Sequence, residues 1–179
     1  MRFLAPATHL VPSYLEAMKE HDRIDGRPDA DGLTWSDLEG RTLEGYTADL
    51  ASGAYPRPGV EYGVAGTELW WCRLSEQGQA SYVGRASIRH HVVPLNRRWG
   101  GNLWWSVRPS LRGRGLGTQL LQEVLPLLAG HGINEPTITV LQDDVARRRA
   151  LAKAGAVELG TRGGFLAYQL LPQQLPVTT

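Results

Sequence analysis

One stretch, "SVRPSLRGRGLGTQLL" from Ser106 to Leu121, limits what this 179-residue chain can become. It closes a hydrophobic run, places a proline, and sets Gly113, Gly115 and Gly117 at alternate positions beside Arg112 and Arg114. A leucine-rich helical pattern follows at once. Glycines this close together weaken any helix or strand that contains them. They suit backbone that must pass close to another group. At a strand–loop–helix junction the first helical N–H groups lack partners and sit at the positive end of the helix dipole. With side chains removed and arginine charge added, the segment reads as a pre-built anion site. Glycines can also serve a tight strand-to-helix turn, but three at alternate positions exceed what a turn needs.

Two nucleotide loops fail on spacing. A P-loop needs G-x-x-x-x-G-K-[ST], and no lysine is present here. The dinucleotide fingerprint needs G-x-G-x-x-G in a first βαβ unit, whereas this chain has Gly113-x-Gly115-x-Gly117 past its middle.

The flanking elements follow from periodicity. "TELWWCRL" and "QASYVGRASIRHHVV" are rich in aromatic and β-branched residues, with "SEQGQ" as the turn between them, and "NLWWSV" is a third strand. Leu116, Leu120, Leu121, Val124, Leu125 and Leu128 repeat at helical spacing, and Pro126 should kink or loosen the last turn. "EPTITVL" reads as a strand, "DDVARRRALAKAG" as a helix closed by Gly155, and "AVELG" with "FLAYQLL" as a strand pair across "TRGG". Ahead of these, Ser13 with Glu16 and Thr34 with Asp37 have capping-box spacing and predict two helix starts. "HDRIDGRPDADG" between them reads as a loop. Meandering strands followed by β-α-β-α-β predict a mixed α/β sheet in one domain.

Composition excludes several classes. With 42% hydrophobic and 21% charged residues the chain is ordinary for a globular protein. A single cysteine, Cys72, rules out an internal disulfide framework and a cysteine-based zinc cluster, so no metal is expected. No apolar run approaches a membrane span, and "MRFLAPATHL" lacks the core of a signal peptide, so a cytoplasmic protein without a membrane partner is expected. Net charge is +1 but unevenly spread: ten acids oppose four bases between Ser13 and Leu50, and twelve bases oppose five acids between Gly84 and Gly164. That asymmetry suggests an anionic ligand on the second half and a cationic one near the first. No basic stripe interleaved with aromatics marks a nucleic-acid surface.

"VRPSLRGRGLGTQLL" resembles motif A of the GNAT superfamily of N-acetyltransferases, whose core is [QR]-x-x-G-x-[GA]; Arg112, Gly115 and Gly117 fill its defining positions. The order of later elements is similar too. The run "GRASIRHHV…RRWGGNLWWSVRPS" resembles a bacterial branch of predicted acetyltransferases. Resemblance is strong over residues 84–171, the expected acetyl-CoA-binding core, and vaguer over 1–83, the variable acceptor side. The resemblance implies a mostly antiparallel central sheet flanked by helices, with acetyl-CoA as co-substrate and an amine acceptor; a homodimer is left open.

The resemblance also implies roles. The pyrophosphate rests on Arg112, Gly113, Arg114, Gly115, Leu116, Gly117 and Thr118. The pantetheine arm pairs with main chain at Trp105, Ser106 and Val107, and a backbone N–H near Val107 meets the thioester carbonyl. The amine attacks directly, without a covalent enzyme intermediate. Asp144 stands where family members often carry Asn. Arg147, Arg148 and Arg149 spread round their helix and read mostly as solvated, with one of them left to meet the cofactor's 3′-phosphate; Arg147 is taken as the cofactor-binding one. Two departures stand out: Leu151 replaces the tyrosine many members use as general acid, and "NLWWSV" carries no carboxylate to act as base. Candidate bases are then His90 and, less favoured, His91, expected on opposite faces of the strand before motif A so that at most one meets the acceptor, and Asp143, expected at the end of the next strand. Deprotonation through water is the alternative to both. The rival to an enzyme is a non-catalytic acyl-CoA sensor on the same fold.

Overall fold

The structure, a computed structural model, describes residues 1–26, 42–52, 66–92 and 101–171. A short strand β1 (Arg2–Leu4) leads through a 3-10 turn at Thr8–Leu10 into helix α1 (Val11–Asp25). Helix α2 (Leu43–Ser52) precedes the meander of β2 (Gly66–Leu74), β3 (Ala80–Arg89) and β4 (Leu103–Val107). The chain continues as α3 (Leu116–Gly130), β5 (Thr137–Leu141), α4 (Val145–Lys153), β6 (Val157–Arg162) and β7 (Phe165–Gln169). Strands pair in the orders β1-β2-β3-β4 and β5-β7-β6, every pair antiparallel. No helix among the described residues is long and apolar enough to cross a membrane.

Alternation along the meander sorts side chains to two unlike faces. Trp71, Ala86, Ile88, Leu103, Trp105 and Val107 join Leu120, Leu121, Val124 and Leu128 of α3 in the main core. On the other face Trp70, Cys72 and Tyr82 pack with Leu10, Val11, Tyr14 and Ala17 under α1. Tyr14 stacks on Trp70 with ring centres 4.5 Å apart, and Tyr82 meets both rings edge-on. A bulge sustains this sorting. Trp71 pairs with Gly84 but Cys72 pairs with Tyr82, so Val83 is the extra residue. The phase flips there, sending Val83 to the α3 side and Tyr82 to the α1 side.

Helix α1 departs from expectation at both ends. It begins at Val11 with Pro12 in its first turn, where a missing N–H costs nothing. Ser13 therefore caps nothing; its hydroxyl accepts the Tyr82 N–H at 2.9 Å, tying helix to sheet. The helix also runs through His21–Asp25, expected as loop, and stops at left-handed Gly26. The helix start expected at Thr34–Asp37 lies outside the described residues. Strand β3 ends at Arg89, so His90 and His91 fall in the bend beyond it rather than on alternating strand faces. Helix α3 carries through Pro126 to Gly130. Gly155 sits two residues past the end of α4, after the C-cap Ala154, with φ +83°, and Gly155 and Ala156 return N–H bonds to Ala152 and Leu151.

Candidate functional site

Strands β4 and β5 belong to different sheets yet touch at their starts. Asn102 N–H donates to Thr137 O at 2.7 Å, and Asn102 Oδ1 accepts from both Thr137 N–H (3.0 Å) and Thr137 Oγ1 (3.2 Å). Gly101, with φ +62°, lets the chain come this close, since a Cβ there would lie 2.1 Å from Thr137 O. Past that tie the two strands share no ladder. Arg108 N–H bonds to Val83 O and Asn102 O accepts from Arg89 N–H, so the even-numbered residues of β4 face β3. Main-chain groups of Leu103, Trp105 and Val107 therefore face the gap.

The glycine loop opens at the far end of β4. Gly113 and Gly115 adopt φ +77° and +78°, and Gly115 is the N-cap of α3 with no side-chain cap bond. Space is open where a Cβ would stand at either position. The backbone N–H groups of Leu116, Gly117 and Thr118 precede the first bond of the helix, Gln119 N–H to Gly115 O, and so have no intrahelical partner. Gly117 is different. Its Cβ position lies 3.6 Å from Ala150 Cβ and 3.8 Å from Trp105 Nε1, an ordinary packing distance.

Arg112 does not point outward as a free cation. Its Nη1 and Nη2 bond Asp25 Oδ1 and Oδ2 at 2.7 and 2.8 Å, while Nε donates to Val107 O at 3.1 Å. Buried His21 stands beside this pair, with Nδ1 3.0 Å from Asp25 Oδ2 and 3.3 Å from Arg112 Nη2. Arg108 similarly grips Glu20 Oε1 through Nε (2.9 Å) and Nη2 (2.6 Å), and Ser110 N–H bonds Glu20 Oε2 at 3.1 Å. Two arginine–carboxylate clamps thus fix the loop and the turn before it to the C-terminal half of α1. The Arg112 hydrogen bonds, against the opposing effect of burial, hold the Asp25 carboxyl down to about 2. Burial works to raise Glu20, but bonds from Arg108 and Ser110 prevail and bring it down to about 2 as well.

The other expected site residues fall in different places. Trp105 is buried against α3, and Ser106 is buried on the opposite face, so each contributes main chain and not side chain to the gap or the β3 ladder. Asp144 Oδ1 accepts the Arg147 N–H at 2.9 Å and is the N-cap of α4. Arg147 reaches back to Trp105 O. Arg114 is exposed on the loop, and Leu116 and Thr118 are half-buried at the start of α3. Asp143 lies in an exposed turn after β5.

His90 is not brought to the thioester position expected at Val107. It lies six residues beyond Gly84, the partner of Val107, or roughly 20 Å along the sheet. There its Nε2 is 2.8 Å from Thr67 Oγ1 and its ring stacks on His131 with centres 4.4 Å apart. Burial first, and then the charges of His131 and His91, lower its pKa. Leu151 is fully buried in the main core.

Residue spacing did not single out Glu20, Asp25, Asn102 or Gly101. Nor did it single out a buried polar grid on the α1 side of the sheet. There Glu68 accepts a hydrogen bond from Ser87 Oγ and pairs with Arg85 Nη1 at 3.5 Å, and the Arg85 guanidinium lies 4.8 Å from the Trp104 ring centre. Cross-strand register aligns Glu68 with Ser87 and Trp104, and Trp70 with Arg85 and Ser106. The only advance signal for the grid was charge within an otherwise apolar strand pattern.

An open strand edge leading into a glycine-rich anion cradle defines the class of this site. It suits a ligand that carries an extended amide-bearing arm and a polyphosphate. The acetyltransferase (GNAT) family model matches residues 36–156, and the chain belongs to that family. No curated protein matches the sequence. Solved structures share the fold at low identity. The microcin C7 self-immunity acetyltransferase MccE, in complex with acetyl-CoA and AMP, superposes with a TM-score of 0.60 at 10% identity, covering 94% of this chain and 91% of that one. The ribosomal-protein-S5-alanine acetyltransferase from Vibrio fischeri gives 0.62 at 10% identity, covering 97% and 92%. AAC(6')-Ib in complex with paromomycin and acetyl-CoA gives 0.58 at 15% identity, again covering 97% and 92%.

Acetyl-CoA is the co-substrate of this family, and the residues present fit it: N–H groups without an intrahelical partner at the start of α3 and open space over Gly113 and Gly115 suit a pyrophosphate. Among the described residues no group of three or more His, Cys, Asp or Glu is placed to hold a metal ion.

Proposed function

We propose that the protein is an N-acetyltransferase that moves an acetyl group from acetyl-CoA to a primary amine of a small, cationic acceptor by direct attack. Acetyl-CoA supplies an activated acetyl thioester. The loop from Arg112 to Thr118 binds the pyrophosphate through its N–H groups, and the Trp105–Val107 edge aligns the arm. The Val107 N–H, on the open edge, polarises the carbonyl. The observation that carries this reading is the conjunction of that edge with the open glycine cradle. Residues 84–171 form the cofactor side and 1–83 the acceptor side.

His90 is not carried forward as base, because of its distance from Val107; neither is Asp143, which the described contacts do not tie to the gap. Water removes the ammonium proton in this reading. Cationic preference rests on the acidic first fifty residues, with one adjustment: Glu20 and Asp25 are committed to Arg108 and Arg112. The remaining acids then carry it, and Asp29→Asn should raise KM for the preferred amine without changing the affinity for acetyl-CoA.

A buried Leu151 and a β4 without carboxylate favour a second reading, a non-catalytic acyl-CoA sensor. Release of free CoA thiol from acetyl-CoA against a panel of amines, with Gly115→Glu alongside, separates the two. Amine-dependent release lost in the variant supports the enzyme. Saturable binding without turnover supports the sensor.

A further inference from the structure

Both gap-facing carbonyls of the Trp105–Val107 edge are held by arginine side chains. Arg112 Nε bonds Val107 O, and that arginine is locked in place by its bidentate pair with Asp25. Arg147 Nη2 bonds Trp105 O at 2.9 Å. The Arg147 guanidinium carbon lies 5.0 Å from the Trp104 ring centre and 5.5 Å from that of Trp105, so it rests against both indoles. Asp144 offers it a loose contact, with Oδ2 3.8 Å from Nη1 while Oδ1 caps the helix. An extended ligand whose amide N–H needs an acceptor on this edge meets a guanidinium at Trp105.

From this overlap we infer that Arg147 is a placeholder on the β4 edge, displaced when a pantetheine amide takes the Trp105 carbonyl. Its displacement makes the chain discriminate against thioesters that lack the phosphates of CoA. The inference rests on the acetyl-CoA reading above. A pantetheine amide that takes the place of Arg147 at Trp105 O breaks that hydrogen bond and the guanidinium's contacts with the two indoles. A CoA thioester offsets that loss. Arg147 stands one helical turn from Ala150, which packs beside Gly117 in the cradle, so the released guanidinium is next to the phosphate site. Guanidinium is a bidentate partner for phosphate oxygens. A phosphate-free thioester incurs the same loss with nothing to replace it.

Equilibrium titration calorimetry of acetyl-CoA and of S-acetylpantetheine, on wild type and Arg147→Met, tests this. Arg147→Met keeps an apolar stem against the indoles and removes the donor. S-acetylpantetheine is expected to bind roughly ten-fold tighter to Arg147→Met, the size of one hydrogen bond from a charged group. Acetyl-CoA should gain nothing, so the ratio of the two Kd values narrows by about that factor. Tryptophan emission should shift when wild type binds acetyl-CoA and shift less in the variant. Arg147→Lys keeps the charge but not the planar stack, and should move the ratio the same way by a smaller factor; it serves if the Met variant does not fold. A Kd ratio unchanged in both variants overturns the placeholder role while leaving the acetyl-CoA reading intact. A wild type that binds neither ligand overturns that reading and the inference with it.

Discussion

Gly115 and Gly117 sit two residues apart in one loop, and the same substitution should have opposite effects at the two positions. At Gly115 the backbone φ is +78°, a region that costs an L-residue about 1–2 kcal/mol. Nothing lies within 4 Å of the added Cβ, so strain is the whole folding penalty. At Gly117 the backbone is helical and the Cβ would make ordinary contacts of 3.6 and 3.8 Å, so Ala gains about 0.5 kcal/mol from its lower chain entropy. For a chain of this length about 1 kcal/mol moves Tm by roughly 2–4 °C. Thermal unfolding without ligand should therefore place Gly115→Ala some 2–8 °C below wild type and Gly117→Ala 1–2 °C above it. The binding readout separates a second effect. Backbone strain is common to free and bound protein, so any loss of acetyl-CoA affinity in Gly115→Ala reports the methyl group entering the open space that the proposed function gives to phosphate. Equal Tm losses at both glycines, or none at Gly115, would refute the assignment of strain to one and packing to the other.

Further tests concern charge and position. Asp25→Asn removes the anchor of Arg112 and should weaken acetyl-CoA binding several-fold by freeing the loop, measured by calorimetry. Because the folded-state pKa values of Asp25 and Glu20 are depressed to about 2, the clamps stabilise the fold fully above the ordinary carboxylate range near 4. Their contribution disappears as pH falls from there through about 2, so Asp25→Asn should flatten the acid limb of a stability-versus-pH curve. His90→Ala should leave kcat/KM within about three-fold, whereas a loss near 10²-fold would restore it as the base. The lowered His90 pKa has the opposite sign of linkage to the usual paired histidine: stability falls as pH drops below its ordinary value near 6.5, and His90→Gln should remove that slope.

The strand–loop–helix and the elements after it were legible because each rests on local rules. Leucines at helical spacing, glycines that admit positive φ and alternating strand residues carry their own period. Helix α1 was legible in part. Its capping-box pattern at Ser13 belongs to a residue whose hydroxyl instead meets the Tyr82 N–H, 69 positions away in sequence. The clamps were not legible at all. Glu20 and Asp25 precede their arginines by 88 and 87 residues, and from charge alone they looked like acceptor-side acids. His90 looked like a strand residue because "SIRHHVV" alternates well enough to continue β3; the ladder stops at Arg89, where its partner Asn102 turns toward Thr137 instead.

The Asn102–Thr137 contact has a mechanical meaning as well. The Asn102 amide, the Thr137 hydroxyl and three backbone groups tie the four-stranded half to the three-stranded half at one end of the gap, like a hinge pin at one end of an open book, beside a core that Ile138, Val140, Leu166 and Tyr168 share with Trp71 and Leu103. A ligand lying in the gap touches both covers and so acts as a second fastening. Occupancy should then appear as slowed amide exchange in β5, β7 and β6 as well as around the phosphate site. Gly101 sets where the pin is seated: with no room for even a methyl group against Thr137 O, its position fixes how far apart the far ends of β4 and β5 stand.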